Sequence, residues 1–304
     1  MPTRRDVFKQ AAALAGAGVM GGGMNAASVH SESSRSADVR YRIGACDWSL
    51  DLVGDPQSLA RARKIGLDGV QVSLRPDQSG DLRQKKVQQA YRRASERYGV
   101  ALGSLAIARL NSVPYKSDPR TRQWVRDSID VARALDVKNV LLAFFADNDL
   151  KDDAEGQQEV VERLRAVAPK AEEAGVVLGL ETTLSAEEHL DIIRAVGSEN
   201  VKVYYDVANS FHNGYDIYEE IRRLGTEYIC EIHAKERGHL LGQGPVNFER
   251  VRAAIEDIGY RGWLQVEGAV PEGADLLESY IANAAFLRSV FFGSKRGAQQ
   301  PEQK

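Results

Sequence analysis

Short apolar segments alternate with longer amphipathic segments along the chain from Tyr41 to Phe292. The short segments are rich in β-branched and aromatic residues, as strands are, whereas the long segments repeat apolar residues at helical spacing. We predict eight strands, each followed by a helix. The strands lie at residues 41–50, 68–74, 101–107, 139–145, 176–182, 201–209, 228–235 and 262–268, and the helices at 55–66, 81–99, 118–136, 155–175, 185–197, 215–225, 247–259 and 275–292.

Capping residues support these boundaries. Several predicted helices begin at Asp, Asn or Ser, which cap helix N-termini, and most of the earlier ones end near a Gly. Eight strand-then-helix units within about 250 residues match a closed barrel, so we expect an α/β protein with a single (β/α)8 TIM barrel over residues 40–293 and an active site at the C-terminal ends of the strands. An open doubly wound sheet is the alternative, but no G-x-G-x-x-G turn follows the first strand.

Composition narrows the classes of protein. Hydrophobic residues make up 43% and charged residues 27% of the 304-residue chain, which fits a soluble globular protein and excludes disordered and collagen-like classes. The formal net charge of -3 gives no electrostatic reason to expect a nucleic-acid partner, so a small-molecule substrate is the better expectation. The two cysteines, Cys46 and Cys230, permit at most one disulfide, and two free thiols are the favoured interpretation.

Residues 1–36 differ from the rest in pattern. The paired arginines Arg4 and Arg5 precede a short Ala/Gly-rich apolar run and then small residues and a polar linker. This order resembles a bacterial twin-arginine signal peptide; an ordinary disordered terminus is the alternative. The resemblance implies export of an already folded protein to the periplasm or another extracytoplasmic site, and the apolar run is too short and Gly-rich for a stable membrane span. At the other end, we expect residues 294–304 to be a disordered tail.

Four chemistry-bearing residues occupy the last inward positions of predicted strands five to eight: Glu181, Asp206, His233 and Glu267. Consecutive strands of a barrel end side by side, so we expect these side chains to converge. Three carboxylates would repel one another unless a positive charge lay between them. Three oxygens and one imidazole suit one divalent metal ion, Mn²⁺, Mg²⁺ or Co²⁺, with Zn²⁺ as a further candidate. Taken singly, the acids could be helix caps and the histidine a core residue, but the four together favour a metal site.

The quartet and the closing segment "LGQGPVNFERVRAAIEDIGYRGWLQVEG" together resemble the xylose isomerase-like TIM-barrel superfamily, which includes sugar phosphate isomerases and epimerases. The resemblance covers the chain from about Tyr41 to Phe292. It implies a metal ion that binds two adjacent oxygens of a hydroxy-ketone sugar, with Glu181 and Glu267 as the catalytic acid and base on opposite faces of the sugar. Proton abstraction next to the carbonyl, through a metal-stabilised enediolate, would then epimerise the sugar or move its carbonyl.

Further residues near the predicted mouth are candidates for sugar contacts. Lys235 shares the inward parity of His233 and can stabilise an enolate, although a salt bridge at the barrel rim is the alternative. Asn209 stands where the epimerase branch of the superfamily has a histidine, and Gln71 replaces its strand-two acid; these departures concern the identity of the sugar more than the metal site. The other candidates have packing or solvent-facing alternatives: Trp48, Arg109, Glu187 or Glu188, and His239.

Three functions are compatible with this pattern. The leading one is a divalent-metal-dependent isomerase or epimerase of a sugar or keto-sugar derivative, without a dedicated phosphate site. The alternative is an exported lyase that removes the same kind of proton from a 3-keto-glycoside and expels the aglycone. A non-catalytic metal-sugar binding protein is less favoured, because Glu181 and Glu267 are both present. The superfamily's DNA-repair endonucleases bind three zinc ions, which need more histidines than the five here. The sequence leaves a homo-oligomer open.

Overall fold

Eight parallel strands form the inner wall of the protein. The computed structural model describes residues 40–293. The strands are β1 (Tyr41–Cys46), β2 (Gly69–Ser73), β3 (Ala101–Ile107), β4 (Asn139–Ala143), β5 (Val177–Glu181), β6 (Val201–Asp206), β7 (Ile229–Glu236) and β8 (Gly262–Gly268). They pair in chain order, and β8 pairs with β1 to close the barrel. Because all strands run in the same direction, their C-terminal ends share one mouth.

A layer of helices surrounds the strands. Its members are α1 (Gln57–Ile65), α2 (Lys85–Tyr98), α3 (Arg120–Leu135), α4 (Ala154–Ala174), α5 (Ala186–Val196), α6 (Val207–His212), α7 (Ile217–Tyr228), α8 (Phe248–Asp257) and α9 (Leu276–Phe292). Local sequence sets their ends. Ser185 and Glu188 form a capping box at the start of α5, and Gly197 ends that helix with a left-handed φ of 76°.

The predicted TIM barrel is confirmed, with a strand and a helix at each predicted place. Several boundaries were wrong. Residues 47–50 were predicted to continue strand one and form a turn, the second helix begins at Lys85 and not at residue 81, and residues 207–209 were predicted to continue strand six and instead begin α6. Asp206 Oδ1 accepts hydrogen bonds from the backbone N–H groups of Ala208 and Asn209 at 2.9 and 2.8 Å, which starts a helix immediately after the strand. The predicted signal and tail lie outside the described residues. Among the helices of residues 40–293, none combines the length and the apolar character that a membrane-spanning segment needs.

The apolar core lies between the strands and the helices. Ile43, Leu178 and Ile232 are typical of it, with exposures of 0 to 1%. Side chains alternate along a strand, so the neighbours of these residues point into the barrel. Several of those inward residues are polar, including Glu231 and Gln265, which are fully buried. The barrel interior beneath the mouth therefore contains buried, hydrogen-bonded polar side chains.

Candidate active site

Strands β5 to β8 each bring one of the four predicted metal ligands to the mouth. Glu181 ends β5 and Asp206 ends β6, while His233 and Glu267 lie near the C-terminal ends of β7 and β8. Asp206 and His233 are register partners, whereas Glu267 pairs with Lys235, one inward position further along. The structure therefore brings together the four side chains that the sequence placed at consecutive strand ends.

His233 is the residue that contacts the other three. Its Nδ1 lies 2.9 Å from Glu181 Oε1, 3.4 Å from Glu267 Oε2 and 3.9 Å from Asp206 Oδ2. One ligand atom from each of the four residues lies within 4.8 Å of the others. Ligand atoms around an octahedral divalent ion lie roughly 3 to 4.5 Å apart when each bond is about 2.1 Å long. The quartet has the donor types and the spacing to hold one divalent cation.

Lys235 enters the same cluster from β7. Its Nζ lies 2.7 Å from Glu267 Oε2 and 3.3 Å from Asp206 Oδ2. The side chain thus faces the quartet, and its ion pairs are with the predicted ligands. A positive charge therefore stands at the edge of the site, next to the space that a substrate would enter.

Asp206 tests whether the cluster suits a metal ion. Its Oδ1 caps α6, so the capping role and the site role belong to different oxygens of one carboxylate. Its Oδ2 is buried, and within residues 40–293 no group completes a hydrogen bond to it, although Lys235 is at ion-pair distance. A buried carboxylate oxygen left in this way is costly. Three carboxylates set against one imidazolium and one ammonium also leave a negative charge, and both features fit a bound cation.

The ionisation of the cluster follows from burial and neighbouring charge. Burial raises the pKa of Asp206 to about 7, against the opposing effect of Lys235. Burial disfavours charge on His233, but the carboxylates of Glu181 and Glu267 outweigh it and raise the pKa of His233 to about 9. For Glu267, His233 and Lys235 outweigh burial and lower the pKa to about 2. Glu267 is therefore an ionised carboxylate at neutral pH.

Trp48 and Asn209, two of the predicted substrate residues, border the quartet. Trp48 Nε1 donates a 2.9 Å hydrogen bond to Glu267 Oε1, and its ring lies edge-on to the His233 ring with centroids 6.2 Å apart. Asn209 lies in α6, and its Oδ1 accepts a 3.0 Å hydrogen bond from Arg237 in the loop after β7. Trp48 orients a predicted catalytic carboxylate, and Asn209 links α6 to the loop after β7.

Arg109 has its partners away from the quartet. It lies in a short 3₁₀ turn after β3, donates to the carbonyl oxygen of Pro76, and holds its guanidinium 5.0 Å from the ring centroid of Trp124 in α3. These contacts account for the side chain without a ligand, so its role in binding sugar stays a prediction.

Glu187 and His239 also lie apart from the quartet. Glu187 forms ion pairs with Arg194 and Arg223, in the outer layer of helices. Its neighbour Glu188 closes the capping box of α5. His239 is exposed in the loop after β7. For all three, contact with a sugar stays a prediction.

A hydrogen-bonded chain behind His233 was not predicted. His233 Nε2 lies 2.9 Å from Gln71 Oε1, Gln71 Nε2 donates to the Tyr204 hydroxyl at 2.9 Å, and that hydroxyl donates to Glu231 Oε1 at 2.7 Å. One signal in the sequence pointed to it: Glu231, His233 and Lys235 alternate along β7, which places three ionisable residues on its inward face. Partners from β2 and β6 are not visible in such a pattern.

The chain resembles known proteins over most of the barrel. The model of a family described as xylose isomerase-like TIM barrel matches residues 59–290. Among curated proteins, D-psicose 3-epimerase of Enterocloster bolteae is 27% identical over 140 residues, which are 43% of this chain and 46% of that protein. The chain thus spans about half the length of the curated relatives it matches.

Solved structures share the same architecture. D-psicose 3-epimerase from Clostridium cellulolyticum H10, solved with D-tagatose, is 21% identical with a TM-score of 0.68, over 82% of this chain and 99% of that one. The 3-keto-D-glucoside 4-epimerase from E. coli is 12% identical with a TM-score of 0.68, again over 82% of this chain and 99% of that one. At these identities the likeness establishes the fold, and the activities belong to those proteins.

Proposed function

Because the chain belongs to the xylose isomerase-like TIM barrel family, we propose that it is a divalent-metal-dependent epimerase or isomerase of a ketose or keto-sugar. The observation that carries the proposal is the convergence of Glu181, Asp206, His233 and Glu267, with ligand atoms within 4.8 Å of one another. The names of a curated relative, D-psicose 3-epimerase, and of a protein of the same fold, 3-keto-D-glucoside 4-epimerase, support a sugar epimerase.

The quartet would hold the ion. When bound, a divalent cation supplies positive charge that stabilises the negative charge developing on a substrate oxygen as the neighbouring carbon loses its proton. Lys235 adds to this effect, because its ammonium lies 2.7 Å from Glu267 Oε2 and can donate a hydrogen bond to a sugar oxygen placed beside that carboxylate.

Glu267 is suited to remove the proton next to the carbonyl. Its carboxylate is ionised and so can accept a proton, and it is held in place because the Trp48 indole N–H donates to Oε1 while Lys235 contacts Oε2. Glu181 approaches from β5, on another side of the cluster. A sugar lying between the two carboxylates can lose a proton to one and regain it from the other. Return to the same carbon from the opposite face inverts it, and return to the neighbouring carbon moves the carbonyl.

A lyase acting on 3-keto-glycosides is the second candidate. Its support is the likeness in fold to a 3-keto-D-glucoside 4-epimerase, together with the predicted export signal. The chemistry begins in the same way, with a carboxylate taking the proton next to the ketone. The electron pair of that C–H bond then forms a carbon–carbon double bond, and the aglycone leaves with the electrons of the glycosidic bond. The presence of a leaving group on the substrate separates the two reactions.

Proton NMR in D2O tests the proposed function. Wild-type protein loaded with Mn²⁺ is incubated with ketoses and with a 3-keto-glucoside, and the ion is removed by a chelator before each spectrum. We expect the proton next to the carbonyl to be replaced by deuterium, and Glu267→Gln to lower that rate by about 10²- to 10⁴-fold. Glu278→Gln, an exposed substitution in α9, is the matched control and should exchange like the wild type.

The possible results separate the candidates. Exchange with an intact sugar supports an epimerase or isomerase, and release of free aglycone supports a lyase. Proton exchange at the wild-type rate in Glu267→Gln would contradict the proposed acid–base role of Glu267. Metal content is measured for every variant, because Glu267 is also a proposed ligand. A metal-loaded wild type that exchanges no proton in any substrate would contradict both enzymes and favour a binding protein.

A further inference from the structure

The polar chain behind His233 runs across the barrel interior through three strands. His233 Nε2 contacts Gln71 Oε1 of β2, Gln71 Nε2 contacts the Tyr204 hydroxyl of β6, and that hydroxyl contacts Glu231 of β7. All four side chains are buried, with exposures of 0 to 1%. Each member therefore depends on its neighbours in the chain for its hydrogen bonds.

Glu231 determines which atoms donate and which accept along this series of hydrogen bonds. Donors surround this carboxylate: Ser104 Oγ, Tyr204 OH and Gln265 Nε2 contact Oε1 at 2.7 to 2.8 Å, and Asn139 Nδ2 contacts Oε2 at 2.8 Å. The hydrogen bond between Tyr204 and Glu231 runs from the Tyr204 hydroxyl to Glu231 Oε1. A hydroxyl has a single hydrogen, so Tyr204 can only accept a hydrogen bond from Gln71.

The same donor and acceptor assignments extend through Gln71 to the His233 imidazole. Since Tyr204 accepts, the amide nitrogen of Gln71 faces Tyr204 and its oxygen faces His233. Cys46 Sγ lies 3.2 Å from the same oxygen and 3.4 Å from His233 Nε2, so the thiol borders this contact. An acceptor opposite Nε2 requires the hydrogen of a neutral imidazole to be on Nε2. The lone pair then lies on Nδ1, the atom that faces Glu181, Asp206 and Glu267.

We propose that Gln71 is a positioning residue, which Glu231 orients through Tyr204. In the neutral form of His233, which is the form that binds a metal ion, Gln71 keeps the hydrogen on Nε2 and leaves the lone pair of Nδ1 for the ion. This inference rests on the proposed function only in assuming that the quartet binds a divalent cation. Without Gln71, the carboxylate of Glu181, 2.9 Å from Nδ1, would favour a hydrogen on Nδ1, which blocks ligation.

Metal affinity tests the acceptor at position 71 without any sugar. Titration calorimetry with Mn²⁺ compares the full-length wild type with Gln71→Met, which keeps the length of the side chain but has no strong acceptor. We expect the dissociation constant to rise by about 10- to 100-fold. Gln71→Glu keeps an acceptor opposite Nε2 but loses the N–H that faces Tyr204, so we expect a smaller loss of affinity than in Gln71→Met. Equal losses in both variants would indicate a packing role and overturn the proposal, as would wild-type affinity in Gln71→Met.

Two neighbouring tyrosines of β6 test the rest of the chain. Tyr204→Phe keeps the ring that lies 4.5 Å from the His233 ring and removes only the hydroxyl between Gln71 and Glu231. Tyr205→Phe removes a hydroxyl of the same kind, which donates to Glu220 outside the barrel. We expect Tyr204→Phe to weaken Mn²⁺ binding by about 5- to 30-fold and Tyr205→Phe to leave it within about twofold. Equal affinities for the two variants would overturn the role of Tyr204 and Glu231.

Nitrogen NMR reports the tautomer directly. In ¹⁵N-histidine-labelled protein loaded with Mg²⁺, the proposal predicts a protonated Nε2 and an unprotonated Nδ1 for His233, and loss of the slowly exchanging Nε2 proton in Gln71→Met. A hydrogen on Nδ1 in the wild type would overturn it. These readouts are independent of turnover: a protein that passes them but exchanges no sugar proton contradicts the proposed function alone, whereas sugar exchange with an unaffected Gln71→Met contradicts this inference alone.

Discussion

A substitution at Trp48 can distinguish the orientation of the Glu267 carboxylate from the binding of a metal ion. Its indole N–H donates to Glu267 Oε1, while the metal-facing atom is Oε2. A hydrogen bond to a charged group is worth about 1.5–3 kcal/mol. We expect Trp48→Phe to lower the rate of proton exchange at least about tenfold and to leave Mn²⁺ affinity within about threefold. Trp263→Phe, at the far end of β8, is the control. An unchanged exchange rate in Trp48→Phe would contradict the orienting role.

Glu236 makes stability depend on pH. Its side chain is buried, neither oxygen completes a hydrogen bond within residues 40–293, and the nearby Val246 amide offsets burial only in part. Burial raises the pKa of Glu236 to about 7 from 4.5. The folded state thus holds this proton more tightly than the unfolded state, so stability is lost as pH rises from about 4.5 through about 7.

Replacing this carboxylate removes that dependence. Urea titrations give the free energy of unfolding at each pH. We expect the difference in this free energy between Glu236→Gln and the wild type to grow by on the order of 1 kcal/mol, in favour of Glu236→Gln, from about pH 5.5 to about pH 8.5. Glu249→Gln, an exposed substitution in α8, should follow the wild-type profile. Parallel profiles for Glu236→Gln and the wild type would refute the assignment.

Individual site residues were predictable to the extent that strand parity governs them. Glu181 and His233 lie inside regular strands, where alternation fixes direction, and both face the site as expected. Arg109 and Glu187 lie beyond strand ends, where the loop path decides direction, and their partners are elsewhere. The role of Gln71 depends on contacts across the barrel, which a single strand's pattern does not contain.

At the level of elements, the Trp263 side chain of β8 packs inside the barrel against Gly69 of β2 and Gly103 of β3. Gly69 of β2 faces the Trp263 ring, and a Cβ built there would lie 2.9 Å from the Ala101 carbonyl oxygen. We expect Gly69→Ala to lower the free energy of unfolding by about 2 kcal/mol, because ring and backbone must both shift. Adding Trp263→Leu should recover part of that loss. Full stability in the single variant, measured by urea unfolding, would contradict this packing.

The elements show where local sequence suffices. Eight strands and eight helices were predictable from hydrophobic period and caps, because each amphipathic segment can bury its apolar side in only one way. The exception, α6, begins at Asp206, whose carboxylate caps a helix within a segment of strand-like composition. Residues 207–209 gave no periodic signal, since a six-residue helix is too short to show one.

For the whole molecule, we propose export by the twin-arginine route, from the pattern at Arg4 and Arg5. Expressed in a bacterium with that pathway, the wild-type chain should be recovered from the periplasm. Arg4→Lys combined with Arg5→Lys should retain it in the cytoplasm, because the pathway's receptor reads the arginine pair. Arg35→Lys, in the predicted linker, is the control. Equal periplasmic yields for all three chains would refute this route.

Different strands of the barrel supply the proposed metal ligands and several residues that contact those ligands. Strands β5 to β8 carry the proposed ligands, while β1 and β2, with the loop after β1, supply three of the residues that contact them: Cys46, Trp48 and Gln71. The measurement that tests this account most directly is anomalous diffraction from crystals of the protein soaked in Mn²⁺. We predict one strong peak within bonding distance of Glu181, Asp206, His233 and Glu267, and its loss in His233→Ala. A wild-type map with no peak at the quartet would contradict the account.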